Sequence, residues 1–135
     1  MDTELLERTA RELVAPGRGI LAADESNGTM SNRLEGVGLE SSEEARRAYR
    51  ANLFATPGCE SAVSGVILYD ETIKQSSSSG KKITELISDS GAVPGIKVDT
   101  GAKVLANSPD EKITEGLDGL RERLIEYYKL GARFA

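Results

Sequence analysis

Gly19-Ile20-Leu21-Ala22-Ala23-Asp24-Glu25-Ser26-Asn27-Gly28 is a short apolar run that breaks off into acidic and turn-forming residues. Its length and small-residue content suit a buried strand delivering a polar loop. The pattern recurs at Gly65-Val66-Ile67-Leu68-Tyr69, which ends in Asp70-Glu71. It appears a third time at Val93 to Val98, which carries Lys97 and ends in Asp99-Thr100-Gly101. Three such strands separated by helical stretches predict parallel βαβ units rather than an antiparallel sheet.

The segments between the strands read as helices and loops. Leu5, Leu6, Leu13 and Val14 share one helical face that Pro16-Gly17 stops, and a short helix is expected around Met30–Val37. Ser41 and Glu44 have capping-box spacing and open a helix that Pro57-Gly58 terminates. Ser76 to Ser79 with Gly80 reads as a mobile surface loop, and Ile83, Leu86 and Ile87 mark another short helix. Residues 102–116 read as polar and irregular. Leu117, Leu120, Leu124 and Tyr128 form one helical stripe with Gly131 at the C-cap position, and Ala132-Arg133-Phe134-Ala135 begins a fourth strand. Periodicity leaves open whether the sheet is doubly wound or closed. A closed barrel takes about 250 residues, so 135 residues hold only part of one.

Composition narrows the function classes. The chain is 39% hydrophobic and 29% charged, with net charge −5 and no basic run, which recommends neither nucleic acid nor an anionic membrane as partner. Aromatics are 4% and Trp is absent, so a base-stacking surface is disfavoured. With no His, Ser-His-Asp and Cys-His catalysis are excluded and an imidazole zinc site has no ligand. Cys59 is the only cysteine, so no disulfide forms within the chain, and the thiol fits a reducing cytoplasm. No apolar stretch has the form of a signal peptide or the ~20 residues of a membrane helix, and a soluble intracellular protein is expected.

Side chains alternate across a strand, which sorts the candidates by face. Ile20, Ala22 and Asp24 oppose Leu21, Ala23 and Glu25; Gly95, Lys97 and Asp99 oppose Ile96 and Val98. The bulky faces suit helix packing, while Asp24 and Lys97 lie near C-terminal strand ends, where α/β folds bind ligands. Two plainer readings stand beside this. Lys97 and Asp99 make an ion pair at the end of a strand, and Asp24 is a turn former or helix cap. Arg46-Arg47 reads as a solvated helix face, and Cys59 as a packing residue with no base to activate it.

Three segments together resemble class I fructose-bisphosphate aldolase. They are Ala15 to Thr29 followed by Arg33-Leu34; Ser64-Gly65-Val66-Ile67-Leu68-Tyr69-Asp70-Glu71-Thr72 with Gln75; and Pro94-Gly95-Ile96-Lys97-Val98-Asp99 with Gly116-Leu117-Asp118-Gly119-Leu120 downstream. Order and spacing match from about residue 5 to the last residue. The resemblance implies a (βα)8 TIM barrel, of which residues 1–135 hold the N-terminal helix, the first three βα units and the start of strand four, as the N-terminal part of a single barrel domain. It implies reversible cleavage of fructose 1,6-bisphosphate to dihydroxyacetone phosphate and glyceraldehyde 3-phosphate through a lysine Schiff base, with no metal and no cofactor.

By the same resemblance Asp24 is the catalytic carboxylate of strand one. Ser26, Thr29 and Lys97 bind the substrate phosphate distal to the Schiff base, Arg33 contacts substrate phosphate at the other end of the sugar, and Arg46 is a second substrate phosphate-binding arginine. Thr29 stands where many members carry Ser. Asn32 and Thr100 replace common lysines, which lowers the local positive potential. The family's Schiff-base lysine, its acid/base glutamates and its C-terminal tyrosine match nothing in this chain and fall downstream of residue 135, so turnover by the chain alone is not expected. A homotetramer is carried over from the family. The competing reading is a non-catalytic phosphate-binding or interaction fragment of the barrel; a metal-dependent aldolase is disfavoured for want of His.

Overall fold

A computed structural model describes residues 2–135. Its elements run α1 (Thr3–Leu13), β1 (Gly19–Ala23), α2 (Asn27–Gly36), α3 (Glu43–Phe54), α4 (Cys59–Ala62), β2 (Val63–Leu68), α5 (Asp70–Ile73), α6 (Ile83–Asp89), β3 (Val93–Ile96), β4 (Gly101–Leu105), β5 (Ser108–Glu115) and α7 (Leu120–Leu130). The first three strands form a parallel sheet in the order β1-β2-β3. Ala22 pairs with Ile67, and Ile67 in turn with Gly95. A fourth parallel strand begins beside β3. Gly95 bridges Phe134, the Ile96 amide donates to the Phe134 carbonyl at 3.0 Å, and the Arg133 amide donates to Pro94 O at 2.8 Å.

The face parity read from the sequence is the one observed. Ala23, Val66, Leu68 and Ile96 are buried against Ala51 and Phe54 of α3, Ile73 of α5, Ile83 and Ile87 of α6, and Tyr127 of α7. On the opposite face Ile20 is 46% exposed and Ile67 is half-buried. Glycine makes room on that face at Gly65, where a Cβ would meet Leu13 Cδ2 at 2.5 Å, and at Gly95. A methyl group at Gly95 would sit 2.5 Å from the Phe134 ring, so the small strand residue lets strand four's aromatic lie flat on the sheet.

Several local expectations give way. Residues 102–116 are a hairpin: β4 and β5 pair antiparallel, with Lys103 opposite Ile113 and Val104 opposite Lys112. Ala106-Asn107 makes the turn, and Asn107 takes the left-handed conformation (φ 62°) that asparagine tolerates. Both faces of the hairpin are largely exposed, so it carries no apolar alternation to mark it as strand. The cap of α3 is Ser42, whose hydroxyl accepts from the Ala45 amide at 3.0 Å, while Ser41 bonds Ser31 instead. Along α1, Leu5 and Leu13 are half-buried but Leu6 and Val14 stand exposed.

On α7 the expected stripe is rotated. Leu117 is 85% exposed and Tyr128 55%, whereas Tyr127 is buried with Leu120 and Leu130 partly buried beside it. The buried line passes through Arg123, whose guanidinium donates to the carbonyls of Val98 and Gly116, and a charged residue in the line hides it from an apolar count. The serine tract closes as a turn: the Ser77 amide donates to Lys81 O at 2.8 Å, and Arg47 donates to Ser76 O at 3.0 Å. β3 stops at Ile96, two residues before the expected end, although the Lys97 amide still donates to Leu68 O at 2.9 Å.

Candidate active site

The C-terminal ends of β1 and β3 each release a charged residue toward the sheet's open face. Asp24 follows β1 and Lys97 follows β3, and the Lys97 ammonium stands 3.5 Å from an Asp24 carboxylate oxygen. Asp99 takes the other side of the same ammonium. Its second oxygen accepts from the Gly101 amide at 3.0 Å, which ties the start of the hairpin to the lysine. The hydrogen bond that Lys97 donates to Asp99, reinforced by the charges of Asp99 and Asp24, holds the Lys97 pKa above its ordinary value despite partial burial. The same bond holds the Asp99 carboxyl below its ordinary value.

Ser26 and Thr29 arrive by a different route. Ser26 caps α2, accepting from the Thr29 amide, and the two hydroxyls lie 3.1 Å apart. This places a hydroxyl pair at the first turn of a helix, where unpaired amides already favour anions. Asp24, Ser26, Thr29 and Lys97 line one open cleft of about 710 Å³, walled by Tyr69 on one side and by Thr100, Gly101, Ala102 and Thr114 of the hairpin region on the other.

Four of the six residues singled out by sequence therefore meet in one cleft. The two arginines do not line it. Arg33 is more than half exposed and pairs with Glu25, itself a cleft residue, so it adjoins the rim. Arg46 points away: its guanidinium grips Glu71 in a fork, at 2.6 Å from Nη2 to Oε1 and 2.9 Å from Nε to Oε2. That fork keeps the Glu71 carboxyl below its ordinary range.

Sequence reasoning passed over Tyr69, Thr100 and Thr114 as site residues. Tyr69 shares the parity of Ile67, and following the alternation to the strand's last residue would have found it. Thr114 was hidden inside the stretch read as irregular. Among the described residues no group of three or more acidic or thiol side chains is placed to hold a metal ion, and no helix is long and apolar enough to cross a membrane.

Comparison with known proteins places this geometry in a family. The family described as fructose-bisphosphate aldolase class-I matches residues 4–135. A probable fructose-bisphosphate aldolase class 1 from Xanthomonas campestris is 55% identical over 135 residues, which is all of this chain and 40% of the relative. Fructose-bisphosphate aldolase 3, chloroplastic, from Arabidopsis thaliana is 51% identical over 130 residues, 96% of this chain and 33% of that protein. The structure of fructose-bisphosphate aldolase from Plasmodium falciparum, solved with TRAP and a small-molecule inhibitor, superposes with a TM-score of 0.94 at 47% identity, covering 98% of this chain and 38% of the other. The chain thus spans about 40% of the length of the bacterial relatives it matches, and its sheet is the opening part of a TIM-barrel aldolase fold. On the family match and these identities, the chain belongs to the class I fructose-bisphosphate aldolases.

Proposed function

We propose that this chain supplies the first three strands of an enzyme that reversibly cleaves fructose 1,6-bisphosphate to dihydroxyacetone phosphate and glyceraldehyde 3-phosphate. The observation that carries the reading is the convergence of Asp24, Lys97, Ser26 and Thr29 on one cleft at the C-terminal strand ends. In a TIM barrel that is the end where the chemistry sits. The carbon–carbon bond is activated by a Schiff base on a lysine outside these 135 residues, with residues 1–135 forming the N-terminal part of one barrel domain.

Within the cleft the roles follow from chemistry. Two hydroxyls on a helix's first turn and an ammonium 3.5 Å from a carboxylate offer donors and positive charge to a phosphate dianion. Asp24 is the one of these four that accepts a proton, and it is oriented by Lys97 as a general acid/base for transfers around the carbinolamine. Arg33, at the rim beside Glu25, has the exposure to swing onto the second phosphate.

The enzyme is read as metal-independent, cytoplasmic and homotetrameric. A coupled triose-phosphate assay on the full-length enzyme measures turnover, and thermal shift with fructose 1,6-bisphosphate on the 135-residue chain measures binding. Stabilisation of the chain by the bisphosphate without any turnover in the full-length enzyme would replace this reading with that of a phosphate-binding module. Gel filtration under both conditions reports the assembly.

A further inference from the structure

Behind the cleft wall at Glu25 lies a largely buried charged cluster. Arg50 of α3 is fully buried, with a side chain 1% exposed. Its Nη2 donates to the backbone carbonyl of Glu25 at 2.6 Å. Its guanidinium stands 3.7 Å from the Glu25 carboxylate and 3.9 Å from that of Glu71. Glu71, held in the fork of Arg46, accepts a further bond from the Asn27 side chain at 3.0 Å. The loop is thus gripped from below at Glu25 and Asn27, and the residues between and before those grips, Ser26 and Asp24, face the cleft.

A buried guanidinium is costly unless its charge is answered, and burial indeed pulls the Arg50 pKa below its ordinary value. Replacing a buried ion cluster by apolar residues of similar volume is often neutral or stabilising, which directs attention to what this cluster orients. We propose that Arg50, with Glu71 and Arg46, is a positioning device that fixes the Asp24–Asn27 loop, and that Arg46 acts here rather than on substrate. The directional contact is the single hydrogen bond from Nη2 to the Glu25 carbonyl; the two carboxylates stand at ion-pair distance and hold the planar guanidinium between them by charge, while its Nε and Nη1 make no hydrogen bond. The device acts through the Glu25 carbonyl, one peptide from the Asp24 carboxylate. It rests on the aldolase reading above.

The test is a double-mutant cycle on turnover in the full-length enzyme. Arg50→Lys keeps the charge and loses the planar guanidinium, and it should lower kcat by about ten- to a hundredfold, the scale of a catalytic group displaced by about an ångström. In an Asp24→Asn background the same change should cost about twofold or less, because the group being positioned is gone. A purely structural role lowers melting temperature and active fraction alike in both backgrounds, so equal kcat losses in the two overturn the proposal. Glu71→Gln repeats the cycle from the other end of the cluster and decides the matter if Arg50→Lys does not fold. Arg11→Ala, an exposed pair partner of Glu7, serves as the unchanged control. A parent enzyme without aldol cleavage sinks the functional reading and this proposal with it; an active parent with equal losses overturns the positioning role alone.

Discussion

Replacing Lys97 by alanine separates binding from chemistry more cleanly than any other change in the cleft. Among the described residues the charged side chains lining it are Asp24, Glu25, Asp99 and Lys97, so Lys97 is the one cation those walls offer to an incoming phosphate. A hydrogen bond to a charged group contributes about 1.5–3 kcal/mol, or about 10- to 150-fold in affinity. The loss should fall on KM, because a phosphate remote from the breaking bond is held equally in ground and transition states. Removing the ammonium also leaves Asp24 and Asp99 facing the dianion unneutralised, which pushes the effect toward the upper end. Steady-state kinetics of Lys97→Ala in the full-length enzyme should therefore show KM raised by about 10- to 150-fold with kcat within a few-fold of the parent.

The pH dependence carries a sign of its own. Lys97 has a raised pKa, so its ion-pair contribution is complete below its ordinary 10.5 and is lost as pH rises through the folded value. Asp99 has a lowered pKa, so its contribution is complete above its ordinary 3.8 and is lost as pH falls through the folded value. Between those limits the parent's Lys97 contacts should leave KM flat. In Lys97→Ala the Asp99 carboxylate has lost the ammonium that lowered its pKa, and its protonation makes KM fall as pH is lowered toward the carboxylate range. A variant with normal KM and lost turnover would refute the phosphate role and assign Lys97 to the chemistry.

Three further outcomes follow from other parts of the structure. Asp24→Asn should lower kcat by about 10²- to 10⁴-fold with a smaller change in KM, and normal steady-state turnover in that variant would remove Asp24 from the mechanism. Gly95→Ala drives a methyl to 2.5 Å from Phe134 and should cost about 1–3 kcal/mol in urea unfolding, largely relieved when Phe134→Ala is added; additive costs would mean the ring does not press on Gly95. The 135-residue chain with dihydroxyacetone phosphate and borohydride should yield no adduct on Lys97, since Asp99 and Asp24 keep it protonated. Peptide mass mapping that finds Lys97 modified would reverse that division of roles.

Much of the fold was legible because parallel strands advertise themselves. Buried on the helix side, they appear as brief apolar runs that end in polar residues, and all three runs became parallel strands. Parity then sorted their faces without any tertiary information. What escaped was whatever the burial pattern does not mark. The β4–β5 hairpin is wet on both faces, so Lys103, Lys112 and Glu115 read as loop although Asn107 supplied a usable turn. The buried face of α7 escaped because Arg123 occupies a place in it, answering backbone carbonyls rather than packing against apolar neighbours.

Arg50 belongs with these omissions and explains why polar parts of sites are harder to read than apolar cores. In Arg46-Arg47-Ala48-Tyr49-Arg50 the arginines look interchangeable, and charge alone assigns all three to water. Helical geometry separates them. Residues 46 and 50 lie four apart on one face and turn inward to Glu71 and Glu25, while Arg47 is a step round the helix and pairs with Glu44 and the Ser76 carbonyl. The signal that an inward arginine exists is its partner, and Glu25 and Glu71 come from the ends of two different strands. Only the sheet register that sets β1 beside β2 brings those carboxylates under one helix. The core is thus specified locally, strand by strand, whereas the polar support of the cleft is specified by the register between strands.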